Sequence, residues 1–141
     1  ALANTYLFQY MIGNTDWSVA AQHNIQLIKS KDPMINRPYA VPYDFDYSGI
    51  IITTYAVPDQ NLRIASVRER VYRGICVLDK SYLLQAADRF KSAKPAIYKL
   101  LEDDTFLENS MKRNMREFLD VFYTEVENDR MFQHKIIDAC R

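Results

Sequence analysis

From Ser66 to the end of the chain, apolar residues recur at helical spacing, which limits the protein to a mainly α fold with at most a small sheet. Met111, Met115, Phe118, Leu119, Phe122 and Val126 fall on one helical face, and Thr105-Phe106-Leu107-Glu108 has the capping-box order that opens such a helix. Upstream, Asp79 to about Ser92 is predicted as a helix with Leu83, Leu84, Ala87 and Phe90 on its buried side. Lys94-Pro95 starts or kinks a third helix, which runs through Ile97, Leu100 and Leu101. Ser66-Val67-Arg68-Glu69 is a further capping box, and Gly74 stands where a short helix would end. Phe132, Ile136, Ile137 and Cys140 continue as a last helical stretch. The main core is therefore expected in residues 66–141, with Leu84, Phe90, Leu100, Phe118 and Phe122 largely buried.

The first 65 residues follow other periods. Residues 3–13 are predicted as a helix, with Leu2, Tyr6 and Tyr10 on one side and Gly13 as its stop. Residues 24–30 and 38–45 favour extended chain, and Lys31 to Arg37, with Asp32-Pro33 and Asn36, forms the tip of a hairpin between them. Pro42 keeps the second strand short or at an edge. Residues 48–65 show no clean period and are predicted as irregular. The apolar pattern is already running at Ala1-Leu2-Ala3, as in the interior of a helix, so the chain is expected to be a piece of a larger protein.

Composition excludes several classes. Lys plus Arg equals Asp plus Glu at 18 each, which gives no basic surface for nucleic acid or an anionic membrane. Asn4, Thr5 and Gln9 interrupt the first apolar segment too early for a membrane span. Cys76 and Cys140 fit either a disulfide or two buried thiols. His23 and His134 are too few and too far apart for a zinc site to be assigned, and neither Gly-x-Ser-x-Gly nor Cys-x-x-Cys occurs.

Against this background, Asp16, Asn24, Asp44 and Asp46 stand where the apolar pattern points to core, and a buried carboxylate needs backbone N–H groups, a basic partner or a metal ion. A local explanation exists for each. Asp16 would cap the turn after the first helix, Asn24 would tie down a loop, and Asp44 or Asp46 would bond to the backbone or to an arginine such as Arg68 or Arg70. Taken in order, an Asp and an Asn on one loop, then a hairpin ending in an Asp, form the arrangement used in magnesium-dependent phosphoryl transfer.

In these residues the sequence resembles the protein-kinase-like superfamily, specifically its atypical CotH-type, HipA-like and Fam20-like members. "TDWSVAAQHN" is similar to the catalytic loop and "PYDFDYSG" to the metal-binding motif, with DFD in place of DFG. The resemblance covers about residues 5–50. It implies Asp16 as catalytic aspartate, Asn24 and Asp44 as metal ligands, and Asp46 as a further ligand. It also implies Mg²⁺ or Mn²⁺ with ATP as cofactors, and a kinase-like C-terminal lobe as the fold. Seven residues separate Asp16 from Asn24, where the protein-kinase loop has four. The chain carries no glycine-rich phosphate loop, strand lysine or partnering glutamate, so the resemblance implies an N-terminal lobe upstream. Two other classes fit the same residues. One is a non-catalytic helical module that packs against a partner domain; the other is a metal-dependent hydrolase using the carboxylates on water.

Overall fold

Helix α1, Leu2–Ile12, has almost no solvent face: Tyr6, Leu7, Gln9 and Tyr10 are all at most 3% exposed. This departs from the one-sided helix expected, and it places an uncharged, aromatic-rich segment at the centre of its surroundings. The computed structural model describes residues 2–76 and 79–140. The expected continuation of the helix upstream of Ala1 lies outside the described residues. The chain divides into two compact units, residues 1–71 and 72–141.

In the first unit the end of α1 organises everything around it. A helix leaves its last carbonyls without intrahelical donors, and here each finds one. Asn14 N–H donates to Gln9 O, Gly13 N–H to Tyr10 O, and Ile50 N–H to Ile12 O. The Arg70 guanidinium donates to Met11 O through Nε and Nη2, at 3.4 and 3.2 Å. Gly13, at φ 67°, takes the left-handed conformation that ends the helix, and its own carbonyl receives Gly49 N–H. The segment that follows the hairpin is thereby stitched to the end of α1.

Strands β1 (Ile25–Ile28) and β2 (Tyr39–Pro42) pair antiparallel, with Ile25 opposite Pro42 and Ile28 opposite Tyr39. Both are shorter than predicted; at the open end this is because Asn24 and Asp44 adopt positive φ, 50° and 58°, and leave extended geometry. Thr5 Oγ1 of α1 donates to Ala40 O, and Phe8 meets Phe45 edge to face at 5.6 Å. Residues 48–65 are irregular apart from a 3-10 turn at Gln60–Leu62, as the sequence suggested.

The short helix predicted from Ser66 to Gly74 does not form. Its capping residues close only one turn: Ser66 Oγ accepts from Arg68 N–H and Glu69 Oε1 from Ala65 N–H. Arg68 and Arg70 instead reach the carbonyls of Gly49 and Met11.

The second unit is the helical half. Helix α2, Ser81–Asp103, runs unbroken through Pro95, and α3 spans Asn109–Glu127. Pro95 is exposed and stands inside the helix without ending it. A continuous helix also fixes the phase. Leu83, Ala86, Ala87 and Tyr98 are buried, whereas Leu84 and Leu100 lie about 100° to either side of that stripe at 3.6 residues per turn. The expectation that both are core is corrected: Leu84 is 50% and Leu100 75% exposed. Phe90 is half-buried, while Phe118 and Phe122 are in the core as predicted. Met111 shares their face but sits in the first turn of α3, where it is exposed.

Helices α2 and α3 are antiparallel, tied by Tyr98 Oη donating to Asp120 at 2.6 Å and by Lys94 pairing with Glu127 at 2.7 Å. Asp104 caps the turn between them, accepting from the N–H groups of Phe106 and Leu107; this replaces Thr105 as the cap. Helix α4, Asp129–Phe132, opens on Asn128 as N-cap and continues as a π turn over Gln133–Ile137. Cys76 and Cys140 form a disulfide across 64 residues. Among the described residues, no helix is long and apolar enough to cross a membrane.

Candidate functional site

The turn after α1 is built by Asn14. Its Oδ1 accepts Asp16 N–H at 2.9 Å, and its carbonyl accepts Trp17 Nε1 at 3.0 Å. Trp17 is buried and packs 5.5 Å from Tyr6, a core role that anchors the loop. Asp16 therefore does not cap the turn with its side chain. Its carboxylate is held from the far side of the loop instead. Asn24 Nδ2 donates to the Asp16 carbonyl at 2.9 Å and to Asp16 Oδ2 at 3.1 Å, while His23 Nε2 lies 2.9 Å from Asp16 Oδ1.

The intervening residues fold out of the way. Ser18 and His23 exchange both backbone hydrogen bonds, at 2.9 and 3.0 Å, and Gln22 turns the chain at φ 52°. Residues 18–23 thus form a small closed excursion. The three residues by which this loop exceeds the kinase-type spacing are absorbed there, and Asp16 still meets Asn24.

The hairpin brings the second acidic stretch to the same end. Tyr43 N–H donates to Asn24 O, one residue beyond the β1–β2 ladder, and Asp44 then turns at positive φ. Asn and Asp tolerate this conformation better than other side chains, which suits the residue types found there. A tight turn follows, closed by Ser48 N–H and Oγ on Phe45 O, with Asp46 inside it. Asp46 is fixed by Thr53 Oγ1 on its carbonyl and by Tyr55 Oη on Oδ2 at 3.1 Å.

Asp44 and Asp46 stand against one another. Asp46 holds the Asp44 carboxyl above its ordinary value, through a side-chain hydrogen bond first and through like-charge repulsion second; the Asp16 charge adds to the effect. Of the predicted site residues, the structure joins Asn24 to Asp16 by hydrogen bonds and sets Asp44 against Asp46, with the Asp16 charge acting weakly on Asp44.

Two features were not read from the sequence. His23 on Asp16 is one; its place beside Asn24, across the loop from Asp16, was the available signal. The other is a cavity of about 290 Å³ beside Asp16, walled by Tyr47, Val57, Pro58, Asp59 and Gln60.

The fit to a divalent cation can be judged from the donors. Among the described residues no three His, Cys, Asp or Glu side chains form a ready-made cage. A magnesium-type ion needs less, since it is commonly held by one or two carboxylates with waters and substrate phosphates completing the octahedron. Asn24 turns its nitrogen to Asp16, which leaves Oδ1 as the oxygen donor, and Asp44 and Asp46 present two carboxylates whose mutual repulsion a cation would relieve. Oxygen-only donors of this kind suit a hard cation. The chain matches no known protein family, no characterised protein and no solved structure.

Proposed function

We propose that this chain is the C-terminal, kinase-like lobe of an atypical phosphotransferase, moving the terminal phosphoryl group of a nucleotide such as ATP to an acceptor hydroxyl. The observation that carries this reading is the double hydrogen bond from the Asn24 amide to Asp16. It fixes the Asp16 carboxylate where a hydroxyl proton could be taken, and leaves the Asn24 amide oxygen as a donor for a cation. In this reading Asn24, Asp44 and Asp46 hold Mg²⁺ or Mn²⁺, which when bound neutralises phosphate charge and aligns the nucleotide. An N-terminal lobe of the same protein would supply the remaining nucleotide contacts.

Asp16 orients the acceptor hydroxyl and takes its proton, and the His23 ring gives that proton an exposed route to solvent. The acceptor oxygen forms a bond to the terminal phosphorus. The bond from phosphorus to the bridging oxygen breaks, and its electron pair leaves with the nucleoside diphosphate.

A second reading has its own observation. Both oxygens of the Asp16 carboxylate already have hydrogen-bond partners, which also suits a non-catalytic module that uses this cluster only to hold its loop. Asp16→Asn in the intact protein separates the two. The phosphotransferase reading expects turnover to fall by about 10²–10⁴-fold, with nucleotide binding and thermal stability nearly unchanged. Loss of stability with normal specific activity would leave Asp16 a structural residue.

A further inference from the structure

We infer that the tip of the β1–β2 hairpin, residues 29–39, docks on an anionic phospholipid surface; this goes beyond the phosphotransferase reading and does not rest on it. The even charge balance of the whole chain conceals a local excess, since Lys29, Lys31 and Arg37 stand in the hairpin against Asp32 alone. Among the described residues, none of these three basic groups forms an ion pair. Between them Met34 is 89% exposed and Ile35 41%. The half-exposed rings of Tyr39 and Tyr43 follow on the return strand side. Apolar surface at the apex, cations on both arms and aromatic rings behind them match the layers of a bilayer interface. Acyl chains would meet Met34 and Ile35, and lipid phosphates the basic groups.

The tip is a built turn. Ser30 Oγ accepts Asp32 N–H at 3.0 Å, Asp32 Oδ1 accepts Met34 N–H at 2.9 Å, and Asp32 O accepts Ile35 N–H at 3.0 Å. The hairpin's one carboxylate thus serves the turn that presents Met34. Residues 31–39 are all exposed, so no face of the tip packs on the body of the protein. A folded partner covers one face, whereas a fluid headgroup layer surrounds a projecting tip on every side. Strand addition suits this hairpin less, because Pro38 and Pro42 lack N–H groups and Thr5 already occupies Ala40 O. A hollow of about 420 Å³ extends from Met34 to Tyr39, and Arg37 in its wall offers a guanidinium to a lipid phosphate. Phe106 is the counter-case. It is 95% exposed, but Glu102, Asp103, Asp104 and Glu108 flank it in sequence, and an anionic surface repels such a segment.

The test is co-sedimentation of the 141-residue protein with vesicles of phosphatidylglycerol and phosphatidylcholine in equal parts, against vesicles of phosphatidylcholine alone. The anionic vesicles should bind at least about tenfold more tightly, and high salt should weaken that binding. Lys31→Gln combined with Arg37→Gln should lower the affinity by at least about tenfold, at about fivefold per basic residue. Met34→Ser should lower it by about threefold or more, whereas Phe106→Ser should leave it unchanged. In Met34→Trp, the emission of the added indole should shift to the blue with anionic vesicles. All these side chains are exposed, so each variant should melt with the parent, which separates lost binding from lost folding. Equal binding to both vesicles, no binding to either, undiminished binding in the double variant, an unshifted indole, or equal losses in Phe106→Ser and Met34→Ser would each overturn the assignment. An acidic peptide bound as tightly as the vesicles, or displacement by free glycerol phosphate where chloride at the same ionic strength has no effect, would do so too. A dimer in sedimentation velocity that Met34→Ser dissociates would give the tip to a second copy instead.

Discussion

The side chain of Asn24 bonds both the backbone carbonyl and the carboxylate of Asp16, eight residues away, and does so from a backbone at φ 50°. Two separate costs attach to its replacement. Asn24→Ala loses the hydrogen bonds and places a Cβ without compensation in the left-handed region, for a total of roughly 2–4 kcal/mol. Asn24→Gly loses the bonds but relieves the backbone, so it should cost about half as much as Asn24→Ala. Urea unfolding of both variants measures the split. Equal losses would show that the backbone conformation carries no strain.

Asp44 gives a pH dependence with a definite sign. Its folded-state carboxyl is raised above 3.8 by Asp46, so the folded protein holds that proton more tightly than the unfolded chain. The associated stability is present below about 3.8 and is lost as pH rises through the raised value. Asp44→Asn removes the repulsion, so its melting temperature should exceed that of the parent at pH 7, with the gap closing as pH falls toward 3.8. Mg²⁺ or Mn²⁺ should raise the parent's melting temperature at pH 7, the stabilisation reaching about 2.7 kcal/mol at a hundredfold excess over Kd. The metal response should vanish in Asp44→Ala. A response that survives there would move the cation to other ligands.

Gln9 is completely buried, and neither its Nε2 nor its Oε1 has a hydrogen-bond partner among the described residues. Burying an unsatisfied amide costs about 1–3 kcal/mol. Gln9→Met keeps the length of the side chain and removes both polar atoms, so it should leave stability unchanged or raise it by about that amount. Thermal and denaturant unfolding read this directly. A clear loss of stability would mean that the amide is satisfied in solution.

The helical unit supplies a paired test of phase. Phe118→Ala should cost about 3–5 kcal/mol, because its ring is 5% exposed in the α2–α3 core. Leu100→Ser, at a residue 75% exposed, should change stability by less than about 0.5 kcal/mol. The reverse ranking would place Pro95 back at a break between two helices.

How much of this was legible in the sequence follows from the range of each interaction. Residues 2–12, the hairpin and α3 were readable because Gly13, Asp32-Pro33 and the Phe118/Phe122 stripe act over a few positions. Leu84 and Leu100 were misplaced because an apolar residue on the flank of a helix reads like one on its buried stripe until the packing partner is known, and both lie about 100° from the stripe of Leu83, Ala86, Ala87 and Tyr98. The turn at Ser66 had the right cap but no helix, since Arg68 and Arg70 bond to carbonyls 19 and 59 residues away. The order of Asp16, Asn24, Asp44 and Asp46 could be read. The meeting of Asp16 with Asn24 could not, because it depends on the closed excursion at residues 18–23 and on the positive φ of Asn24, which no local pattern announces.

The disulfide changes how the chain bears tension. Cys76 and Cys140 bring the two ends of a 64-residue stretch to a Cα separation of 4.8 Å. If the oxidised chain is pulled from its termini, force passes across the sulfur bridge and bypasses α2, α3 and α4. The roughly 220 Å of contour held in those residues, at about 3.5 Å each, stays out of the force path until the bond is reduced. Single-molecule extension would then lengthen by that amount on adding a reductant, making the helical unit a mechanical reserve released by thiol chemistry rather than by load.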